Sequence, residues 1–253
     1  MVSGVFIEAA VLLWYDFSIR NMIGIGCMIY QNTLSATFLS RPNRFIAHVE
    51  IDGKIEIAHV KNTGRCKELL IPGVKVILQR SDNPKRTTKY DLIAVYKGDR
   101  LINIDSHAPN RVFCEYLKSG KYIDGITLIK PEAKYGGSRF DFYVEAGERR
   151  IFIEVKGVTL EENGVVLFPD APTLRGVKHL NELVQCVGEG FEAHVVFVVQ
   201  MKDVLYFTPN NKTHPEFGAA LVTAQKAGVR VAAPDCTVTE NSLYIGDPVP
   251  VKL

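Results

Sequence analysis

The sequence has no uninterrupted apolar run approaching the ~20 residues that a bilayer-spanning helix requires. Cysteine is sparse: Cys27, Cys66, Cys114, Cys186 and Cys236 are an odd, widely spaced set without a Cys-X-X-Cys pair. That excludes a disulfide framework and a thiolate zinc site, and it makes a reducing cytoplasm the natural compartment, with five buried, inert thiols. Pro (12) and Gly (20) stand at ordinary levels, which excludes collagen-like and low-complexity chains. There is no P-loop and no Gly-X-Ser-X-Gly elbow, and Gly24 and Gly26 lack the third glycine and strand–turn–helix context of a dinucleotide fingerprint. No charge of one sign dominates either: 30 Lys and Arg face 28 Asp and Glu, a net of +2.

What is present is a chain of 253 residues, 47% hydrophobic and 23% charged, long enough for one large domain or two modest ones and too apolar to stay disordered. Its charge is uneven. Residues 1–31 carry Arg20 against Glu8 and Asp16, residues 32–105 carry 13 cations against 8 acids, and residues 106–253 carry 16 against 18. A basic module followed by a slightly acidic one predicts two domains with different tasks. Residues 1–31 lack the positive start of a secretory signal, and Met28 would serve equally well as a first residue. They are expected to form an atypical, weakly packed extension, a start-site artefact.

From Leu34 onward, short alternating runs are separated by turn residues. Strands are predicted over 44–51 and 54–60 about the hairpin dipeptide Asp52-Gly53, then over 74–80 and 90–97, giving a small closed or half-closed barrel over 32–106. After it the pattern changes. Helices are expected over 110–119, with Val112, Phe113, Tyr116 and Leu117 on one face, over 173–187, with Leu174, Val177, Leu180, Val184 and Val187 as its apolar stripe, and over 216–227. Strands are expected over 125–129, 139–145, 150–156, 193–200 and 229–233. Strand–helix–strand order with such apolar strands means parallel crossovers, so residues 107–253 read as an α/β or α+β domain and the whole chain as mixed α+β.

The strongest local constellation is Ser138-Arg139-Phe140-Asp141-Phe142 followed by Phe152-Ile153-Glu154-Val155-Lys156. With Gly147-Glu148 as a two-residue hairpin tip, Asp141 stands directly opposite Glu154, at a Cβ separation of roughly 4.5–5.5 Å. Two carboxylates that close, flanked by Phe140, Phe142, Ile153 and Val155, need neutralising, and an oxygen-ligand pair suits Mg²⁺ or Mn²⁺. Lys156 shares the face of Glu154 and could orient a water or stabilise phosphate charge. The plainer alternative is a solvated hairpin face on which Lys156 pairs with one acid. Gly136-Gly137 reads as a bend ahead of a crowded site.

An Asp…Glu-X-Lys hairpin resembles the PD-(D/E)XK, restriction-endonuclease-like core. The body of the chain, over about 34–250, resembles the sugar fermentation stimulation protein (SfsA) family. The matching stretches are Arg41-Pro42-Asn43-Arg44-Phe45, Asn62-Thr63-Gly64-Arg65, Asn83-Pro84-Lys85-Arg86-Thr87-Thr88-Lys89-Tyr90, residues 138–142 and 154–158, and Phe168-Pro169-Asp170-Ala171, with Arg175-Gly176 and His179-Leu180 after it. The resemblance implies an OB-like β-barrel before a nuclease-like α/β domain and DNA binding with little sequence preference. It also implies a regulatory role in sugar metabolism. It makes Asp141 and Glu154 metal ligands with the Val155 carbonyl as a third, and Lys156 the catalytic lysine. Glu132, ahead of Glu115, would complete the ligand set. Phe140 stands where the family pattern often has Pro.

Arg175 and His179 are i, i+4 neighbours and either contact phosphate beside the hairpin or lie on a solvated helix face. The barrel offers Arg41, Arg44, Arg65, Lys85, Arg86 and Lys89, mostly in loops beside Asn or Thr donors, as phosphate contacts suit. Phe45 and Tyr90 could stack on unpaired bases, with the barrel core as the alternative place for Phe45. Three readings remain open: a DNA-binding regulator, an Mg²⁺- or Mn²⁺-dependent nuclease on DNA or RNA, and a metabolic protein that binds a phosphorylated small molecule. None calls for a membrane, and the oligomeric state is open, a homodimer included.

Overall fold

The computed structural model describes residues 27–62 and 64–253. After a short strand β1 (Cys27–Ile29) come β2 (Thr33–Asn43), β3 (Ile46–Ile51), β4 (Lys54–Val60), β5 (Lys75–Arg80), β6 (Tyr90–Lys97) and β7 (Arg100–Asn103). They order as β4-β3-β2-β5-β6-β7, and a parallel β4–β6 pairing closes five of them into an OB-like barrel. The predicted hairpin is present. Asp52 and Gly53 both take positive φ between the paired Ile51 and Lys54, as a two-residue I′ turn requires. Alternation fills the barrel: Ala47, Val49, Ala58 and Val60 point inward and are fully buried with Phe38, Leu78 and Leu92.

Residues 107–253 build the second layer system from α1 (Ala108–Lys118), β8 (Ile126–Tyr135), β9 (Ser138–Ala146), β10 (Arg149–Val158), β11 (Leu160–Glu162), β12 (Val165–Phe168), α2 (Leu174–Gly188), β13 (Glu192–Val199), β14 (Tyr206–Pro209), α3 (Pro215–Lys226), β15 (Arg230–Ala232), β16 (Pro234–Val238) and β17 (Ser242–Pro248). The main sheet runs β1-β17-β16-β13-β10-β9-β8, with β15 beside β13. The expected parallel crossovers are there, β10 to β13 through α2 and β13 to β15 through α3. On one face α1 packs with Phe113 and Val112 onto Ile151, Ile153 and Val155. On the other, α2 and α3 cover Phe152 and Val158, and this core is continuous with that of the barrel. Lys97 and Arg100 of the barrel also reach Glu161 at 2.6 and 3.2 Å, tying the domains together.

Four expectations change. The extension expected over 1–31 does not run to 31. Residues 1–26 lie outside the described residues, but Cys27–Ile29 pairs with β17, Met28 and Tyr30 are buried, and the Tyr30 hydroxyl meets Asp105 and Asn103. Strand β8 runs to Tyr135 rather than ending at residue 129. It lies at the sheet edge, where a proline such as Pro131 is tolerated. The stripe of α2 holds in part: Leu180 is buried and Val177, Val184 and Val187 pack against the core, but Leu174 is 81% exposed, and Gly176, His179, Leu183 and Cys186 share the buried face. Further strands, β11, β12, β14, β16 and β17, extend the α/β domain. Among the described residues no helix is long and apolar enough to cross a membrane. All five thiols are free, and burial raises them all, Cys66 to about 12 and Cys186 to about 11, so they stay protonated.

Candidate functional site

The site sits where the β9–β10 hairpin stops pairing. Gly147 takes φ +61° at the first turn position, the place a II′ turn reserves for Gly, and this sets the register from Ala146↔Arg149 to Phe142↔Ile153. One step further the same register puts Asp141 opposite Glu154, as expected. There the ladder ends, because the Asp141 carboxylate itself accepts the Val155 N–H through Oδ2 at 2.7 Å. Its Oδ1 accepts from the Asn110 amide of α1 at 2.6 Å. Between the β8–β9 pairs Pro131↔Phe142 and Ala133↔Phe140, Glu132 falls on the register line of Asp141. The three acids therefore stand in one row across β8, β9 and β10.

Glu154 is 3% exposed. Two donors converge on its Oε1, His179 Nδ1 at 2.5 Å and Lys156 Nζ at 2.5 Å. Arg175 Nε donates to His179 Nε2 at 3.4 Å, which leaves Nδ1 as the protonated nitrogen facing the carboxylate. The other oxygen, Oε2, is buried without a hydrogen-bond partner. Burial pushes Glu154 upward, but the His179 hydrogen bond and the Lys156 ammonium outweigh it and hold this carboxyl below its usual value. Asp141 goes the other way. Burial, then the Glu154 charge, push it up to about 6 against the lowering effect of Val155 N–H, Lys156 and Asn110. The pair is therefore unequal: His179 and Lys156 compensate the Glu154 charge, whereas that of Asp141 is opposed by burial and by Glu154.

The donor set fits a hard cation. An orphaned carboxylate oxygen and a second carboxylate of raised pKa lie side by side, and only oxygen ligands are offered. Glu132 is on the same line, but its side chain is 63% exposed and pairs with Arg139 at 3.6 Å. Its φ of +52° turns the edge strand there. Glu115 lies on α1, half-buried and paired with Lys118. Among the described residues no three His, Cys, Asp or Glu side chains are already gathered as a ligand set. The sequence reading missed Asn110, whose bond to Asp141 spans 31 positions. It also left the site of His179 open.

The basic residues of the barrel divide into two kinds. Arg41 is spent internally: its guanidinium donates to the carbonyls of Arg44, Asn62, Gly64 and Arg65 at 2.6–2.9 Å, bracing the loop. Arg86 is held by both oxygens of Asp91. Arg44, Arg65, Lys85 and Lys89 stay on the exposed surface, with Lys89 only 3.9 Å from Glu56. Phe45 is 49% exposed under the Arg44 guanidinium, so it does not lie in the barrel core. Tyr90 is partly buried against the barrel core.

Comparison with known proteins agrees with both halves of this architecture. Residues 39–104 match the family model described as the SfsA N-terminal OB domain, and residues 107–242 match that of the sugar fermentation stimulation protein RE domain. Sugar fermentation stimulation protein homologs of Desulfitobacterium hafniense and Clostridium beijerinckii are 65% and 60% identical over 226 residues, each covering 89% of this chain and 99% and 100% of the relative. The solved structure of Pyrococcus furiosus SfsA in complex with Ca²⁺ superposes with a TM-score of 0.81 at 29% identity, over 89% of this chain and 98% of that one. With both domains matched and relatives aligned along nearly their whole length, the chain belongs to the sugar fermentation stimulation protein family.

Proposed function

We propose that this chain binds DNA with little sequence preference and carries, at Asp141, Glu154 and Lys156, a PD-(D/E)XK-type site for metal-dependent phosphodiester cleavage. The observation that carries the reading is the buried, partnerless Glu154 Oε2 beside an Asp141 whose carboxyl is pushed up to about 6. Such an arrangement costs several kcal/mol unless a cation completes it. The Ca²⁺ named for the Pyrococcus furiosus relative supports a hard divalent cation here, and Mg²⁺ or Mn²⁺ is the form proposed for activity. Asp141 and Glu154 would hold it, with the Val155 carbonyl and Glu132 as further oxygen donors.

When bound, such a cation supplies Lewis-acid stabilisation of the phosphoryl oxygen and a more acidic water. The chain's own residues do the rest. His179 holds Glu154 through Oε1 and so aims Oε2 away from itself. Asn110 and the Val155 N–H fix Asp141. Lys156, resting on Glu154 Oε1, is placed to orient the attacking water or to neutralise charge that develops on the phosphate. Arg44, Arg65, Lys85, Lys89 and Arg175 contact the phosphate backbone, and Phe45 stacks on an unpaired base.

The test is cleavage of single- and double-stranded DNA and RNA with Mg²⁺, Mn²⁺ or EDTA, run beside Asp141→Ala and Lys156→Ala. Metal-dependent cleavage lost in both variants is the expected result. DNA binding without cleavage on any substrate would refute catalysis and leave a DNA-binding regulator of sugar metabolism. No retention on DNA at physiological salt would leave a protein that binds a phosphorylated small molecule.

A further inference from the structure

A cavity of about 590 Å³ opens under the β8–β9 turn, beside the carboxylate pair but distinct from it. Four cations line it, Lys134, Arg139, Arg175 and Lys178, together with Glu132 and His179. Glu132 neutralises Arg139 at 3.6 Å, and Glu182, one turn along α2, lies 3.7 Å from Lys178. Lys134 and Arg175 have no carboxylate partner among the described residues. The cavity thus holds an excess of about two positive charges. Its roof is the Gly136-Gly137 turn, where an added Cβ would meet nothing within 4 Å, so the turn leaves open space beside both glycines. Its floor is His179, which is buried and reaches Glu154 Oε1 at 2.5 Å on its far side.

We infer that this cavity is a subsite for the terminal phosphate monoester of a nucleic-acid strand. The inference rests on the nucleic-acid reading given above. A monoester carries a charge of about −2 near pH 7 and three acceptor oxygens. A backbone diester carries one negative charge, half of what the excess calls for. Guanidinium and ammonium donors are the partners that bind such an anion. The position gives the site a consequence. One imidazole separates the cavity from Glu154, so a strand end seated there lies next to the carboxylate pair. Arg175 then binds the phosphate while it donates to His179, so one residue serves strand-end binding and the orientation of Glu154.

The experiment measures binding of one fluorescent single-stranded oligonucleotide with a 5′-phosphate, a 3′-phosphate or neither, to the full chain in EDTA, where no strand is cut. One phosphorylated end is expected to bind about tenfold tighter than the unphosphorylated strand, the worth of one charge-assisted contact. Lys134→Ala and Arg175→Ala are both expected to abolish that ratio. Lys226→Ala, which removes the same charge from the exposed side of α3, keeps it. Equal affinity for all three strands, or equal loss of the ratio in Lys226→Ala, overturns the subsite. A second readout uses inorganic phosphate alone, titrated while the His179 ring resonances are followed. Shifts in wild type that vanish in Lys134→Ala support the subsite, and their absence counts against it. Intact cleavage without an end preference would overturn the subsite alone, and an end preference without cleavage would overturn the catalytic reading alone.

Discussion

Replacing Asp141 by Asn should make the metal-free protein more stable, although it damages the site. The Asp141 carboxyl is pushed from 3.8 to about 6 by burial and by Glu154, which corresponds to about 3 kcal/mol between its two protonation states. The folded protein holds a proton between those values that the unfolded chain has already lost. The contribution of this group to stability therefore falls as pH rises from about 4 to 6, and the penalty is complete above the folded value. Asn at 141 removes the charge and keeps one acceptor for the Val155 N–H. It sets amide against amide at Asn110, which costs roughly 1 kcal/mol of hydrogen bonding unless that side chain flips. The net gain is about 2 kcal/mol at pH 7.5 in EDTA, or roughly 4–8 °C in Tm for a chain of this size.

One condition should remove that advantage and another should reverse it. At pH 4 the wild-type carboxyl is largely protonated and the advantage of Asn disappears. With Mn²⁺ at a hundred times its Kd, the wild type gains about 2.7 kcal/mol by mass action, whereas Asp141→Asn has lost a ligand and gains little. Urea midpoints read by circular dichroism at pH 4 and 7.5, with EDTA or Mn²⁺, measure all of this. An Asp141→Asn protein less stable than wild type at pH 7.5 in EDTA would refute the argument from buried like charges. Equal stabilisation of both proteins by Mn²⁺ would refute Asp141 as a ligand.

Other outcomes follow from the same geometry. Burial, then the Arg230 charge, lower His194 to about 4, so the folded chain resists a proton that the unfolded chain takes up near 6.5. This contribution should cost about 3 kcal/mol as pH drops from 6.5 to 4, opposing that of Asp141, so His194→Gln should gain stability relative to wild type towards pH 4 and not above pH 6.5, read from paired urea titrations. Asn110→Ala should weaken Mn²⁺ binding about tenfold with the fold intact, because it frees Asp141 Oδ1; isothermal calorimetry with Mn²⁺ checks this. Arg41→Ala should lower stability by roughly 2–4 kcal/mol through four lost carbonyl contacts, yet leave the salt slope of DNA binding near that of wild type. Lys85→Ala should do the opposite and reduce that slope by about 1, measured by anisotropy across a salt series.

The contrast between Arg41 and Lys85 shows where sequence patterns inform and where they do not. Local rules placed the barrel hairpin, because Asp52-Gly53 admits only a tight turn, and they placed Asp141 on the register line of Glu154, because Gly147 fixes the hairpin and strand periodicity does the rest. Whether a loop cation is free or spent depends on which carbonyls fold back over it, and Arg41 and Lys85 look alike until then. Asn110 was out of reach for the same reason: packing of α1 on the sheet brings it to Asp141.

His179 is the most instructive case. An apolar stripe begun at Leu174 turns it outward. The stripe in fact begins at Gly176, where an added Cβ would lie 2.9 Å from Thr173 and 3.1 Å from Phe217. That close approach selects the face of α2 that packs down, and the same face carries His179 onto Glu154. A hydrophobic stripe predicts orientation only while burial is apolar. Here the helix buries a polar residue because a carboxylate waits beneath it, at a cost a structural helix would avoid. Local rules fail on this helix at the residue that binds the site, as expected where function and packing compete for one position.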